Sequence, residues 1–163
     1  MMRGFSKRRR SSRLGTTAVE TALVLPVFLM FIFGLVELSR AVLVQHVLNS
    51  ACRKAARLGS TEGTTTAGVK AKTLEILGSA VNTAAVQVYV KDASAFDGAN
   101  PGTSGTALEA MPDIEVGSAK PRTMFMVRAK VKYSDITLVK HMPIIGNFMA
   151  NVTLDGQAFM RHE

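Results

Sequence analysis

One cysteine, Cys52, stands in a chain of 163 residues, so neither an intrachain disulfide nor a cysteine-based zinc cluster is available. Three histidines, His46, His141 and His162, lie far apart and match neither an H-x-x-x-H nor an HExxH spacing. There is no GxSxG elbow and no phosphate-binding glycine loop. The GTSG at residues 102–105 is too short, follows no clear strand and reads as a turn. No internal repeat is visible. Arg53 and Lys54 flank Cys52 and would lower a thiol pKa, but Cys52 falls on the inner side of a helical pattern and reads as a small buried hydrophobe. These absences predict no enzyme, no metal and no cofactor.

Acidic residues are missing from the amino-terminal stretch MMRGFSKRRRSSRL, which holds six basic ones: Arg3, Lys7, Arg8, Arg9, Arg10 and Arg13. The formal charge of +8 is therefore unevenly spread. Residues 1–15 carry +6, and the rest carry 14 basic against 12 acidic residues, or +2. A nucleic-acid arm would interleave aromatic rings with its cations, and only Phe5 is present, so no nucleic-acid partner is expected.

What the chain does have is an apolar run. Residues 22–36 contain no charged or polar side chain, and residues 18–38 reach the roughly 20 residues that a bilayer crossing requires. Glu20 and Glu37 then lie near the two ends, where a carboxylate reaches the headgroups. A signal peptide shares the basic-then-apolar order, but this run is long for one, and helix-forming sequence continues without an A-x-A site. The positive-inside rule places the amino terminus in the cytoplasm and the body outside. The reading is a basic cytoplasmic leader (1–15), a transmembrane helix (16–39) and one extracytoplasmic domain (40–163), which is as much core as the length allows.

Thr16 or Thr17 is a natural N-cap, and Thr17 with Glu20 has the capping-box spacing, which would put Glu20 in the first helical turn. Past Arg40 the helix turns amphipathic: Val44, Val47, Leu48, Ala51, Ala55 and Leu58 recur at three- and four-residue steps, with Gln45, His46, Asn49, Arg53 and Arg57 opposite. Gly59 suits a C-cap. A helix over residues 17–58 would be on the order of 60 Å long, about twice the membrane thickness, so its second half (40–58) belongs to the soluble domain.

A second helix is predicted at about 67–81, packing through Val69, Leu74, Leu77 and Val81. Alternation predicts strands at about 85–92, 123–134 and 151–161. In the second of these, Phe125, Val127, Ala129, Val131 and Tyr133 face inward and Arg128, Lys130 and Lys132 face solvent. Residues 93–121 read as a long exposed loop, and 136–150 as a short helix or hydrophobic loop broken by Pro143 and Gly146. The fold class is α+β: a long amino-terminal helix on a small antiparallel sheet of about three strands.

The stretch G-TTAVE-TALVLPVF from Gly15, the continuation LVELSRAVLVQHVLNSACRKAARLG and the terminal MRHE resemble the TadE-like family of pseudopilins, which belong to bacterial tight-adherence (Tad, or Flp) pilus systems. The resemblance is strongest over roughly residues 14–59. It implies a pilin-like fold and removal of the leader after Gly15 by a cytoplasmic-side prepilin peptidase, which exposes the α-amine of Thr16. It also implies that Glu20, fifth after the cut, offsets the amino-terminal charge of a neighbouring subunit. Thr21 departs from the pattern, since related pilins often place an aromatic residue there, and the large body departs from the very short major pilin. The implied role is thus a minor subunit for pilus assembly in the inner membrane, or incorporated into the pilus. Its implied partners are the peptidase, other pilins and pseudopilins, and Tad inner-membrane assembly proteins. The alternative from the residues alone is an unprocessed single-pass membrane protein with an extracytoplasmic binding domain.

Overall fold

The computed structural model describes residues 11–98, 102–137 and 151–163, with 11–14 described by their backbone alone. Helix α1 spans Ser11–Gly59 and includes Pro26. It therefore starts upstream of the predicted threonine cap. Thr17 sits within the helix, where its carbonyl accepts a hydrogen bond from the Thr21 hydroxyl at 2.9 Å, and Glu20 lies beyond the first turn. Glycine within a helix costs only about 1 kcal/mol relative to alanine, so Gly15 does not stop it.

The chain divides into two compact units, Met1–Val36 and Glu37–Glu163. The second is α+β. After α1 come α2 (Thr66–Leu77), β1 (Gln87–Asp92), α3 (Gly105–Glu109), β2 (Met124–Lys132), α4 (Tyr133–Ile136) and β3 (Thr153–Arg161). The strands form one antiparallel sheet in the order β1-β2-β3. Ala85, read as the start of the first strand, instead closes a 3-10 turn over Thr83–Ala85, and β1 begins at Gln87.

The helical stripe behaves largely as its spacing predicts. Ala41, Val44, Leu48, Ala51 and Ala55 are buried together with Val69 and Leu77 of α2 and with Phe125, Val127, Ala129 and Val131 of β2. Leu58 differs, being 39% exposed. Gly59 is the last helical residue rather than a left-handed cap, and its lack of a side chain serves packing: a Cβ there would lie 3.0 Å from Phe125 and from Val69. The left-handed turn falls instead at Gly63, with φ 79°. Helix α2 is shorter than predicted. Thr65 caps it by accepting from the Gly68 N–H, and Thr66 ties it to the 114–116 stretch by donating to the Ile114 carbonyl and accepting from the Val116 N–H.

β2 is buried on both faces, which alternation did not predict. Within 93–121, read as an exposed loop, residues 93–98 and 105–111 fold over the second face, while Ile114 and Val116 pack into the core on the α1 and α2 side. The 3-10 turn Ser94–Asp97 and α3 bring Ala93 and Leu108 against Met126, with Phe96, Met111 and Met124 around them. Phe96 meets Phe159 of β3 edge-on, with ring centroids 4.9 Å apart. Arg128 is consequently only 6% exposed, not solvated. Its guanidinium donates to Asp155 from Nη2 at 2.8 Å and to the Gly105 carbonyl from Nη1 at 2.6 Å. Lys130 pairs with Glu109 at 2.9 Å, while Lys132 is exposed as predicted. Tyr133, counted with the strand, is the first residue of α4 and is buried. The reading of residues 138–150 lies outside the described residues.

Gly156 of β3 is where helix and sheet approach most closely. A Cβ there would lie 2.5 Å from the carbonyl carbon of Leu48 and 2.7 Å from the Asn49 nitrogen, both backbone atoms that cannot rotate away. Gly156→Ala is expected to lower stability by about 3 kcal/mol through overpacking, measured by denaturant unfolding of the detergent-solubilised full chain. An unchanged midpoint would mean that the approach is looser than this.

Candidate functional site

The amino-terminal unit presents its apolar residues outward. Val19, Leu23 and Phe28 are 62%, 71% and 55% exposed. Among the described residues, α1 is the one helix long and apolar enough to cross a membrane, and none of its most apolar stretch is buried. So large an apolar surface is stable only in lipid or against other apolar helices. One long apolar amino-terminal helix of this kind fits a membrane anchor.

Glu20 stands at the head of a groove on this surface. The groove is lined by Thr17, Glu20, Thr21, Val24, Leu25 and Phe28, whose three- and four-residue steps place them on one helix face. It is polar at the Thr17–Glu20 end and apolar toward Phe28. Gly15 faces open space, with nothing within 4 Å of where a Cβ would stand. Thr16 follows it on the same exposed stretch. Gly15, Thr16 and Glu20 are thus brought within about one and a half helical turns of each other, since 3.6 residues make a turn. Arg3, Lys7, Arg8, Arg9 and Arg10 lie outside the described residues, and Arg13 is placed only by its helical backbone.

Glu37 is the residue whose placement sequence reasoning missed. Read as an interfacial carboxylate, it is 2% exposed inside the folded unit and accepts a 2.7 Å hydrogen bond from the Tyr133 hydroxyl. Burial, and then the Glu37 carboxylate, push the Tyr133 phenol up to about 12. One turn on, Arg40 Nε donates to the Ile136 carbonyl at 2.7 Å. These two bonds clamp α4 to α1. The available signal was spacing: Glu37 leads the same stripe as Ala41, Val44 and Leu48.

The remaining polar candidates are structural or solvated. Cys52 is fully buried and donates to the Gly156 carbonyl at 3.2 Å. Burial pushes its thiol up to about 11 despite the adjacent Arg53 and Lys54, which are exposed. His46 is exposed, and His162 is buried with its Nδ1 lacking a partner among the described residues. Among those residues, no three His, Cys, Asp or Glu side chains are grouped to hold a metal ion.

Tyr133→Phe should destabilise the chain by about 2 kcal/mol, because a buried carboxylate loses a charge-assisted hydrogen bond. Thermal unfolding of the full chain in detergent reads this, and an unchanged transition would remove the clamp from the account. Cys52 should resist maleimide in the native protein at pH 7–9, well below its raised pKa, and react once denatured. Prompt native labelling would contradict its burial.

A family model described as TadE-like protein matches residues 15–57. No curated protein and no solved structure matches the chain. The matched segment starts at Gly15 and runs through Glu20, the exposed apolar stretch and the buried stripe to Arg57. Over this segment, about a quarter of the chain, the protein is similar to the TadE-like family.

Proposed function

We propose that the protein is a minor pseudopilin-type subunit needed to assemble a Tad/Flp-type adhesive pilus, and that a prepilin peptidase removes its basic leader after Gly15. The observation that carries this reading is the TadE-like match, whose first residue is Gly15 itself and whose span covers the exposed apolar helix. The role is assembly, not catalysis. The protein sits in the inner membrane with its amino terminus in the cytoplasm, held there by the basic leader, and its carboxy-terminal domain outside. Its partners are the peptidase, other pilins and pseudopilins, and Tad inner-membrane assembly proteins.

The chemistry follows from the helix. α1 runs through Gly15, and a peptidase cuts extended backbone, so the turn around the cut has to unwind. Glycine weakens the helix at that point and admits the backbone to a narrow site. Cleavage creates an ammonium at Thr16 and a new helix amino terminus, both positive, with Glu20 about one turn away. In a bundle of apolar helices an unpaired charge costs several kcal/mol, so the Glu20 of one subunit meeting the Thr16 ammonium of the next sets their axial register.

Intact mass of the protein recovered from its native membranes tests the reading. A species starting at Thr16 is expected, and Gly15→Val should abolish it. Glu20→Ala should still be cleaved but should reduce recovery of the subunit in sheared pili or in crosslinked assembly complexes by roughly tenfold or more, about 1.4 kcal/mol or greater. Full-length protein in a host with an active prepilin peptidase would instead identify an unprocessed single-pass protein.

A further inference from the structure

Alternate residues of β3 turn their backbone away from the sheet, and the ends of the β2–β3 ladder show which. The Tyr133 N–H donates to the Val152 carbonyl at 2.8 Å, and the His162 N–H donates to the Thr123 carbonyl at 3.0 Å. Both continue the register in which Val131 faces Leu154 and Phe125 faces Met160. Antiparallel residues alternate between bonding inward and outward. Even-numbered residues from 152 to 162 therefore bond to β2, and Thr153, Asp155, Gln157, Phe159 and Arg161 direct their N–H and C=O groups to the free edge.

Helix α1 closes the two ends of that edge. Gln45 Nε2 donates to the Asp155 carbonyl at 2.5 Å, and the Glu163 N–H donates to the Ser60 carbonyl at 3.1 Å. Between these anchors, Gln157, Phe159 and Arg161 offer three rungs with no hydrogen-bond partner among the described residues. The opposite edge differs: on β1, the Asp92 N–H donates to the Pro112 carbonyl at 2.9 Å and Lys91 bridges to Asp113. The open stretch is also grooved, with Arg57 and Ser60 on the α1 side and Phe159, Arg161 and Glu163 on the strand side. Phe159 is 37% exposed.

Cations gather on the α1 side of this edge: Arg57 lines the groove, and Arg53 and Lys54 stand on the helical turn before it. Arg53, Lys54 and Arg57 are exposed along this end of α1, and none has an ion pair among the described residues. Arg161 is neutralised by Asp97 at 2.6 Å, which leaves Glu163 as the one carboxylate side chain in the groove lining. A second copy of the chain pairing β3 to β3 would bring these cations against their own counterparts, which is repulsive.

We propose that the free edge of β3 is the docking site of an acidic partner protein, which adds an extended segment as a fourth strand beside residues 157–161. Main-chain hydrogen bonds to Gln157, Phe159 and Arg161 supply the affinity, and aspartate or glutamate side chains meeting Arg53, Lys54 and Arg57 select the partner. The site lies wholly within the carboxy-terminal unit and does not depend on cleavage at Gly15.

Residue-resolved amide hydrogen exchange on the detergent-solubilised full chain tests this. The probes are a capped peptide of about nine residues alternating valine and aspartate, long enough for one strand, and its valine–lysine counterpart. The amides of Gln157, Phe159 and Arg161 are expected to exchange freely in the protein alone and to slow about tenfold or more with the aspartate peptide, equivalent to about 1.4 kcal/mol of added protection. The lysine peptide should not slow them. Gln157→Pro removes an outward N–H without touching the bonds to β2, and should abolish protection. The double variant Arg53→Glu, Arg57→Glu, on an exposed helix face, should transfer the preference to the lysine peptide. The proposal is overturned if these amides are already protected in the protein alone, which would mean that this chain's own residues cover the edge. Protection by neither peptide, or equally by both, also overturns it.

Discussion

The close approach of α1 to the sheet is the constraint on which the folded unit depends. Along its buried stripe the helix carries small side chains, Ala51, Cys52, Ala55 and Ala56, all without exposure. Opposite them Gly156 has no side chain at all, so β3 rests against the helix backbone at Leu48 and Asn49. That proximity lets Gln45 reach the Asp155 carbonyl and Cys52 the Gly156 carbonyl. It also lets Gly59 end the helix against Phe125. With one face of the sheet sealed by α1 and α2, the central strand β2 is left to bury its other face under residues 93–98 and 105–111, and the small cluster around Met126 forms there.

Burying both faces of β2 takes Arg128, and in part Lys130, out of water, and the fold answers with partners. Arg128 is held by Asp155, by the Gly105 carbonyl and, at 3.5 Å, by Glu109. Glu109 also accepts from Lys130, and this hydrogen bond is the main reason its carboxyl sits below the usual carboxylate range. The same logic governs Glu37 and Tyr133. A buried charge without a partner is strongly destabilising, whereas a hydrogen-bonded one is tolerated and fixes geometry. Each pair therefore works as a locator: Arg128 orients α3 over the sheet, and Glu37 with Arg40 fixes α4 to the helix.

One helix thus serves two environments. In its amino-terminal part, large apolar side chains project outward and the one carboxylate, Glu20, lies near the end of the apolar stretch. From Glu37 onward the stripe turns to small residues under a sheet, and the outward face becomes charged at Arg53, Lys54 and Arg57. The first arrangement suits lipid or neighbouring helices and the second suits water.

Periodicity was enough to read the long helix, the stripe from Val44 to Ala55, the three strands and the inward residues of β2, because each of these depends on spacing along a single element. The candidate segment from Gly15 through Glu20 was legible for the same reason: leader, glycine, glutamate and apolar run are neighbours in the chain. What spacing could not reveal were contacts between segments far apart. Arg128 alternates with apolar residues as a solvated side chain would, and only the placement of α3 over the sheet shows that it is covered. Glu37 has the position of an interfacial carboxylate until Tyr133, 96 residues away, is brought to it. Gly156 looks like any strand glycine until the helix backbone lies against it. The sequence by itself determined the elements, the apolar anchor and the order of its candidate assembly residues, since these follow from local steric and hydrophobic patterns. Only the tertiary structure decided which polar groups are buried, which glycines are obligatory and which strand edge stays open, since burial is set by what arrives from elsewhere in the chain.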